Sequence, residues 1–239
     1  MKTKRQYIVA HRGASGLVEH ENSSEAFEKA VEVGADYIEM DLRKTNDDKI
    51  IVVHNPDYNG KLIKDYSYKE LCQETLKNGF IMPLFEEVLN NFKCRIMFDI
   101  ELKEEGYEEE IVELVLKYLS LDSFIIKSFF KKSVRKIKKI NKKITTALLL
   151  GVEFPKYGYL TRIAELFPLG KIITSKCDIV SPNYQLVICG FVRRMKLIKK
   201  PVWVWTVNDN EKMDVLLNKN KVDGIITNYP DRALKFRKQ

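Results

Sequence analysis

The chain has 239 residues, 45% of them hydrophobic, which is enough for one sizeable core; 41 Lys and Arg against 33 Asp and Glu leave a formal net charge of +8. No apolar run approaches the ~20 residues that span a bilayer as a helix, so a helical membrane protein is excluded. The four cysteines (Cys72, Cys94, Cys177, Cys189) are far apart and lack C-x-x-C spacing, which argues against a disulfide framework or a zinc site and for buried free thiols.

In chain order, MKTKRQYIVAHRG passes from a basic tip straight into a strand, YIVA (7–10). It has neither the apolar core nor the cleavage site of a signal peptide, so a soluble, cytoplasmic protein is expected. A helical pattern, SSEAFEKAVEVG (23–34), precedes the strands YIEMDL (37–42) and IIVVH (50–54). The intervening RKTNDDK is too short for a parallel crossover, and Asn46-Asp47-Asp48 supplies turn chemistry. IIVVH is therefore expected to run antiparallel, returning His54 to the neighbourhood of the second strand. Residues 55–83 are the least regular and read as a small excursion or lid over a barrel mouth. Helix 84–92, strand RIMFDIEL (95–102), helix 108–119 and strand SFIIKSF (123–129) follow.

In KKSVRKIKKINKK (131–143), Val134, Ile137, Ile140 and the following Ile144 recur at helical spacing, which predicts an amphipathic surface helix with lysines outward. Such a face serves solvation first, with weak attraction to an anionic membrane surface as the second reading. No recognition motif with interleaved aromatics accompanies it, so nucleic acid is not an expected partner. Strands TTALLL (145–150), DIVS (178–181), VWVWTV (202–207) and DGIIT (223–227), with a helix over 209–218, complete the chain. Strand–helix alternation repeated about eight times predicts an α/β fold, a TIM (β/α)8 barrel forming a single domain over 1–239. The extra hairpin strand near the mouth reconciles nine strand candidates with eight barrel strands.

Strand alternation points to the chemistry. In YIEMDL, Ile38, Met40 and Leu42 share one face, and Tyr37, Glu39 and Asp41 the other. In RIMFDIELK, Phe98, Ile100 and Leu102 oppose Asp99, Glu101 and Lys103. Barrel strands are ordinarily apolar on both faces, so these carboxylates must stand where water, metal or substrate compensates their charge. Glu39, Asp41 and Glu101 suit a hard divalent cation, Mg²⁺ or Ca²⁺; a structural ion-pair set with Lys103 and Arg43 is the competing reading. His11 and His54 end their strands and can converge on this acidic cluster, offering an acid and a base that titrate near neutrality. Arg12 presents a planar donor fork suited to a phosphoryl group, and Gly13 permits a sharp turn beside it. His20 is given no role.

These residues resemble, in order, the glycerophosphodiester phosphodiesterase family: HRG (11–13), EN (21–22), E-x-D (39–41), Thr45 and Asp47, VVH (52–54) and E-x-K (101–103). Ser128-Phe129, WTVN (205–208) and DGIITNYP (223–230) continue the resemblance almost to the end of the chain. It implies a TIM barrel that hydrolyses small-molecule glycerophosphodiesters to sn-glycerol 3-phosphate and an alcohol. By the same resemblance, Glu39, Asp41 and Glu101 are the metal ligands, with Glu21 at or near the metal, and His11 and His54 the acid/base pair. Arg12 and Lys103 neutralise phosphate, and Trp205 forms an apolar wall against glycerol. Two positions depart from the family pattern: His20 stands where Pro usually precedes the E-N pair, and Asn55 where Asp commonly follows the second histidine. Lysophospholipase D-like or phospholipase C-like action on lipids is the alternative activity. A barrel that binds without turnover is the non-enzymatic one.

Overall fold

The computed structural model describes residues 5–151 and 158–238. Its strands are β1 (Tyr7–Ala10), β2 (Tyr37–Lys44), β3 (Ile50–Val52), β4 (Asp57–Tyr58), β5 (Lys61–Leu62), β6 (Met97–Leu102), β7 (Phe124–Ser128), β8 (Thr146–Leu150), β9 (Ile179–Pro182), β10 (Trp203–Val204) and β11 (Gly224–Thr227). Among the described residues, eight of these run parallel in the order β10-β11-β1-β2-β6-β7-β8-β9. Single parallel bridges, Val180 to Val202 and Asn183 to Trp205, join β9 to the segment around β10 and bring the two ends together as a barrel. β3 pairs antiparallel with β2, Leu42 facing Val52, so the expected hairpin is present.

The helices are α1 (Ser24–Glu32), α2 (Tyr68–Leu76), α3 (Phe85–Phe92), α4 (Glu108–Tyr118), α5 (Lys131–Ile140), α6 (Gly158–Leu166), α7 (Leu169–Ser175), α8 (Phe191–Leu197), α9 (Asn210–Asp214) and α10 (Pro230–Phe236). No described helix is long and apolar enough to cross a membrane. The outward residues of β2 and β6, including Ile38, Met40, Phe98 and Ile100, are fully buried with Phe27 and Ala30 of α1, Val88 and Leu89 of α3, and Ile111 of α4. Burial of this outer seam supplies the main driving force for the barrel's first half.

Inward-facing residues change character along the barrel axis. The floor is apolar and aromatic: Val9, Tyr37, Ile125, Ala147, Ile179, Trp203 and Ile226 form one buried cluster. Tyr37 and Trp203 meet edge to face with ring centroids 5.1 Å apart. Two residues farther along β2 and β6 the same inward face becomes Glu39, Asp41, Asp99 and Glu101, all buried. A packed floor beneath and open strand ends above leave these carboxylates one route to solvent, through the mouth.

Several expectations need adjustment. The basic helix ends at Ile140, because Asn141 leaves helical geometry and its side chain accepts from the Lys143 amide at 2.9 Å. Ile144 is still buried, but from beyond the helix. Residues 55–83 are more regular than the sequence suggested. They hold the β4–β5 hairpin and α2, which is closed by a Ser67–Glu70 capping box, around a small core of Ile51, Ile63, Tyr66, Leu71 and Met82. All four cysteines are free, yet only Cys177 is buried. Cys94 and Cys189 occupy turns at φ 66° and 49°, positions on the surface.

Candidate active site

The turn after β1 begins the site. Arg12 (φ 54°) and Gly13 (φ 78°) both adopt left-handed backbone, and a Cβ on Gly13 would lie 2.6 Å from the Ala26 backbone of α1. This close approach presents the Arg12 amide to the Glu39 carboxylate at 2.8 Å and the Gly13 amide to the Glu39 carbonyl at 3.2 Å. The Arg12 guanidinium then reaches Glu21 at 2.7 Å and Asp41 at 3.2 Å. Asn22, itself at φ 53°, donates its amide to Asp41 at 2.9 Å and leaves its buried carbonyl oxygen without a partner.

Glu39, Asp41 and Glu101 each offer an oxygen within 4.8 Å of the others, and all three are buried. Glu21 stands outside this group: its carboxylate is about half exposed and holds Arg12. Lys103 donates to Glu101 at 2.6 Å and lies 2.9 Å from Asp41. Arg43, the other cation of the competing ion-pair reading, turns away to Glu104 and to the His54 carbonyl, at 2.8 and 2.9 Å. Two inward-facing residues, Lys127 and Phe129, are given no role by the sequence analysis. Lys127, fully buried, lies 2.8 Å from Asp99 and 3.2 Å from Glu39. Strand alternation in SFIIKSF does place Lys127 and Phe129 on one face with Ile125, the signal that could have found them.

Four buried carboxyl groups therefore face three cations, and the imbalance falls on particular residues. Burial pushes the Glu101 carboxyl up to about 7, more than Lys103 offsets. Burial likewise raises Asp99 to about 6 against the pull of Lys127. Burial also works against ionised Asp41, but Lys103 and Arg12 together hold its carboxyl below the usual range. Glu39 is lowered by Lys127 in the same way, against its burial. Acceptor oxygens outnumber the positive charge available to them, a donor set of hard oxygens that one divalent cation would complete.

His11 and His54 both border the cavity. The His11 Nδ1 pairs with the Asn228 amide oxygen at 2.7 Å, and its Nε2 is 4.0 Å from Glu39. The His54 Nδ1 pairs with the Asn55 amide oxygen at 2.9 Å. An amide oxygen only accepts, so each Nδ1 carries the proton and each Nε2 keeps its lone pair. Burial lowers both imidazoles, outweighing Glu39 at His11 and joined by Lys103 at His54. His20 lies apart from the cavity lining, its ring stacked on Phe80 at 4.5 Å.

The cavity at the mouth has a volume of about 500 Å³, suited to a small molecule. Trp205 lines it with its indole nitrogen donating to the Ser181 carbonyl at 2.8 Å, and Phe129 meets it edge to face at 5.5 Å. The lining thus divides into charged and acidic groups with two imidazoles on the one hand and the aromatic pair Phe129 and Trp205 on the other. That division fits a polar, anionic group attached to a small carbon skeleton.

The sequence profile of the Glycerophosphoryl diester phosphodiesterase family matches residues 11–232. The chain is 31% identical to a glycerophosphodiester phosphodiesterase of Bacillus altitudinis, over 97% of this chain and 98% of that one. Its fold is similar to that of the crystal structure of a glycerophosphodiester phosphodiesterase from Parabacteroides distasonis, with a TM-score of 0.79, 26% identity, and 98% and 97% of the two chains covered. An Oleispira antarctica phosphodiesterase, solved with the product sn-glycerol-3-phosphate, matches with a TM-score of 0.81 at 19% identity, covering 97% of this chain and 96% of its own.

Proposed function

The chain belongs to the glycerophosphoryl diester phosphodiesterase family, and from that premise we propose that it hydrolyses glycerophosphodiesters to sn-glycerol 3-phosphate and an alcohol at the mouth of its barrel. The observation that carries this reading is the cluster of Glu39, Asp41 and Glu101 at a cavity that His11 and His54 also line. The product bound by the Oleispira antarctica relative has the two chemical parts, a phosphate and a glycerol skeleton, that the divided cavity suits.

Glu39, Asp41 and Glu101 would hold one divalent cation, Mg²⁺ or Ca²⁺, with Glu21 at its margin through Arg12. The excess of buried acceptor groups over cations, with the Asn22 and Asp99 oxygens left unpartnered beside them, fits such a guest. When bound, the cation supplies Lewis-acid polarisation of the phosphoryl group. Arg12 and Lys103 neutralise the phosphodiester, each already held by carboxylates that fix its direction. One imidazole, neutral, takes the proton of the attacking hydroxyl at Nε2, and the other acts as imidazolium, protonated at Nε2 as well, and gives that proton to the leaving alkoxide. Asn228 and Asn55 keep the tautomer this exchange requires. Trp205, braced by Phe129, excludes water beside the glycerol carbons.

Product analysis on glycerophosphocholine tests the reaction class. The expected products are glycerol 3-phosphate and choline. Phosphocholine and glycerol, or no turnover with any divalent cation, would count against it.

A further inference from the structure

Charge is unevenly distributed along this chain. Residues 131–200 contain 17 Lys and Arg but only three Asp and Glu, a net +14 against +8 for the whole, so the rest of the molecule is net −6. This basic stretch builds α5 to α8, one flank of the barrel. Between α5 and the end of α7 lies a cleft of about 390 Å³ lined by Arg135, Lys138, Lys139, Lys142 and Lys176. Lys138 is committed to Asp178 at 2.9 Å, while Arg135, Lys139, Lys142 and Lys176 are exposed.

The same flank exposes apolar side chains. Leu160, Ile163 and Phe167 follow one another at helical spacing along α6 and just past its end, with Leu160 70% exposed. Leu169 and Ile173 are one turn apart on α7, and Ile173 is 72% exposed. Ile173 stands three residues before Lys176, so the apolar row on α7 runs directly into the basic cleft. At the other end α6 borders the active site, because Arg162 lines the catalytic cavity while its neighbours Leu160 and Ile163 face out. Exposed apolar side chains rimmed by lysine and arginine are the composition of a surface that rests on lipid headgroups.

We propose that the α5–α7 flank docks on an anionic bilayer, with Leu160, Ile163, Phe167, Leu169 and Ile173 entering the headgroup region and Arg135, Lys139, Lys142 and Lys176 pairing with lipid phosphates. Charge complementarity selects this occupant: a zwitterionic surface carries no net negative charge to attract four cations. A bare polyanion would leave the apolar row in water. The flank reaches the rim of the barrel mouth through α6, so docking brings the catalytic cavity to the membrane surface without inserting it.

Cosedimentation with vesicles of phosphatidylcholine, with and without phosphatidylserine, tests the proposal, and it needs no turnover, so it stands or falls separately from the hydrolase reading. The full chain should bind only the phosphatidylserine vesicles, less as salt rises. An R135Q/K139Q/K142Q variant should lose on the order of 100-fold in partitioning, from about one factor of five per cation removed. An L160S/I173S variant should lose roughly tenfold from reduced apolar insertion. Both should keep the parent melting temperature and kcat/KM on soluble glycerophosphocholine. The proposal is overturned if binding ignores phosphatidylserine. It also fails if L160S/I173S binds like the parent while an oligonucleotide competes equally, which assigns the flank to polyanions. A parent dimer that L160S/I173S converts to monomers would assign the apolar row to a second copy instead.

Discussion

At His54 the next residue decides what the imidazole can do. Asn55 accepts a hydrogen bond from Nδ1 at 2.9 Å, so Nε2 is left free to act as a base and the group bonded to the ring carries no charge. An Asn55→Asp change would keep the hydrogen bond and add a negative charge. The acid limb of the kcat/KM profile should then move to higher pH with activity preserved, and a severe loss would show that the site is tuned to the amide. His11→Ala and His54→Ala should each lower kcat by about 10²–10⁴-fold, the usual worth of a positioned acid or base. His20→Ala should leave kcat nearly unchanged in the same assay, since its ring packs on Phe80 rather than facing the cavity. The Glu101 carboxyl, pushed up to about 7 by burial, would have to release its proton to solvent to hold a cation. Calorimetric cation affinity should therefore weaken by about tenfold per unit as pH falls below that value and level off above it. Glu101→Gln should flatten this dependence and bind poorly, whereas Glu104→Gln, whose carboxylate pairs with Arg43, should bind as the parent does.

Along the strands, a period of two was enough to read which residues face inward. Glu39, Asp41 and Glu101 separate from Ile38, Met40 and Ile100 in the sequence as they do in the barrel. The hairpin that returns His54 was equally legible, because a seven-residue link cannot make a parallel crossover. Partners distant in sequence were not legible from periodicity. Asn228 meets His11 across 217 positions, and only closure of β11 against β1 brings them together. Lys127 sits in an apolar run with no partner near it in sequence; its burial becomes sensible only once Asp99 and Glu39 are its neighbours. Short helices with weak periodicity, such as α7 and α8, were also hidden. Lys127→Met should cost about 3–5 kcal/mol in urea unfolding, since it strands two buried carboxylates, and an unchanged midpoint would mean the pair is dispensable. Gly13→Ala should destabilise by a margin at or above the usual 0.5–3 kcal/mol range, roughly, for single changes, because it combines a positive φ with a 2.6 Å clash.

For the molecule as a whole, the alternation of strands and helices led to the barrel, and the barrel explains why its polar residues gather where they do. An aromatic floor closes one end of the interior, so the charged layer above it opens toward the mouth. The family assignment and the geometry meet at one cluster of three carboxylates. The most direct test is hydrolysis of glycerophosphocholine by exhaustively chelated protein, titrated with Mg²⁺ and with Ca²⁺ while bound cation and released choline are measured together. No choline should appear before titration, and turnover should then rise in proportion to one bound cation per chain and be lost in Glu39→Gln. Full turnover by the chelated protein, or cation binding that leaves the rate unchanged, would contradict a cation-dependent hydrolysis at this cluster.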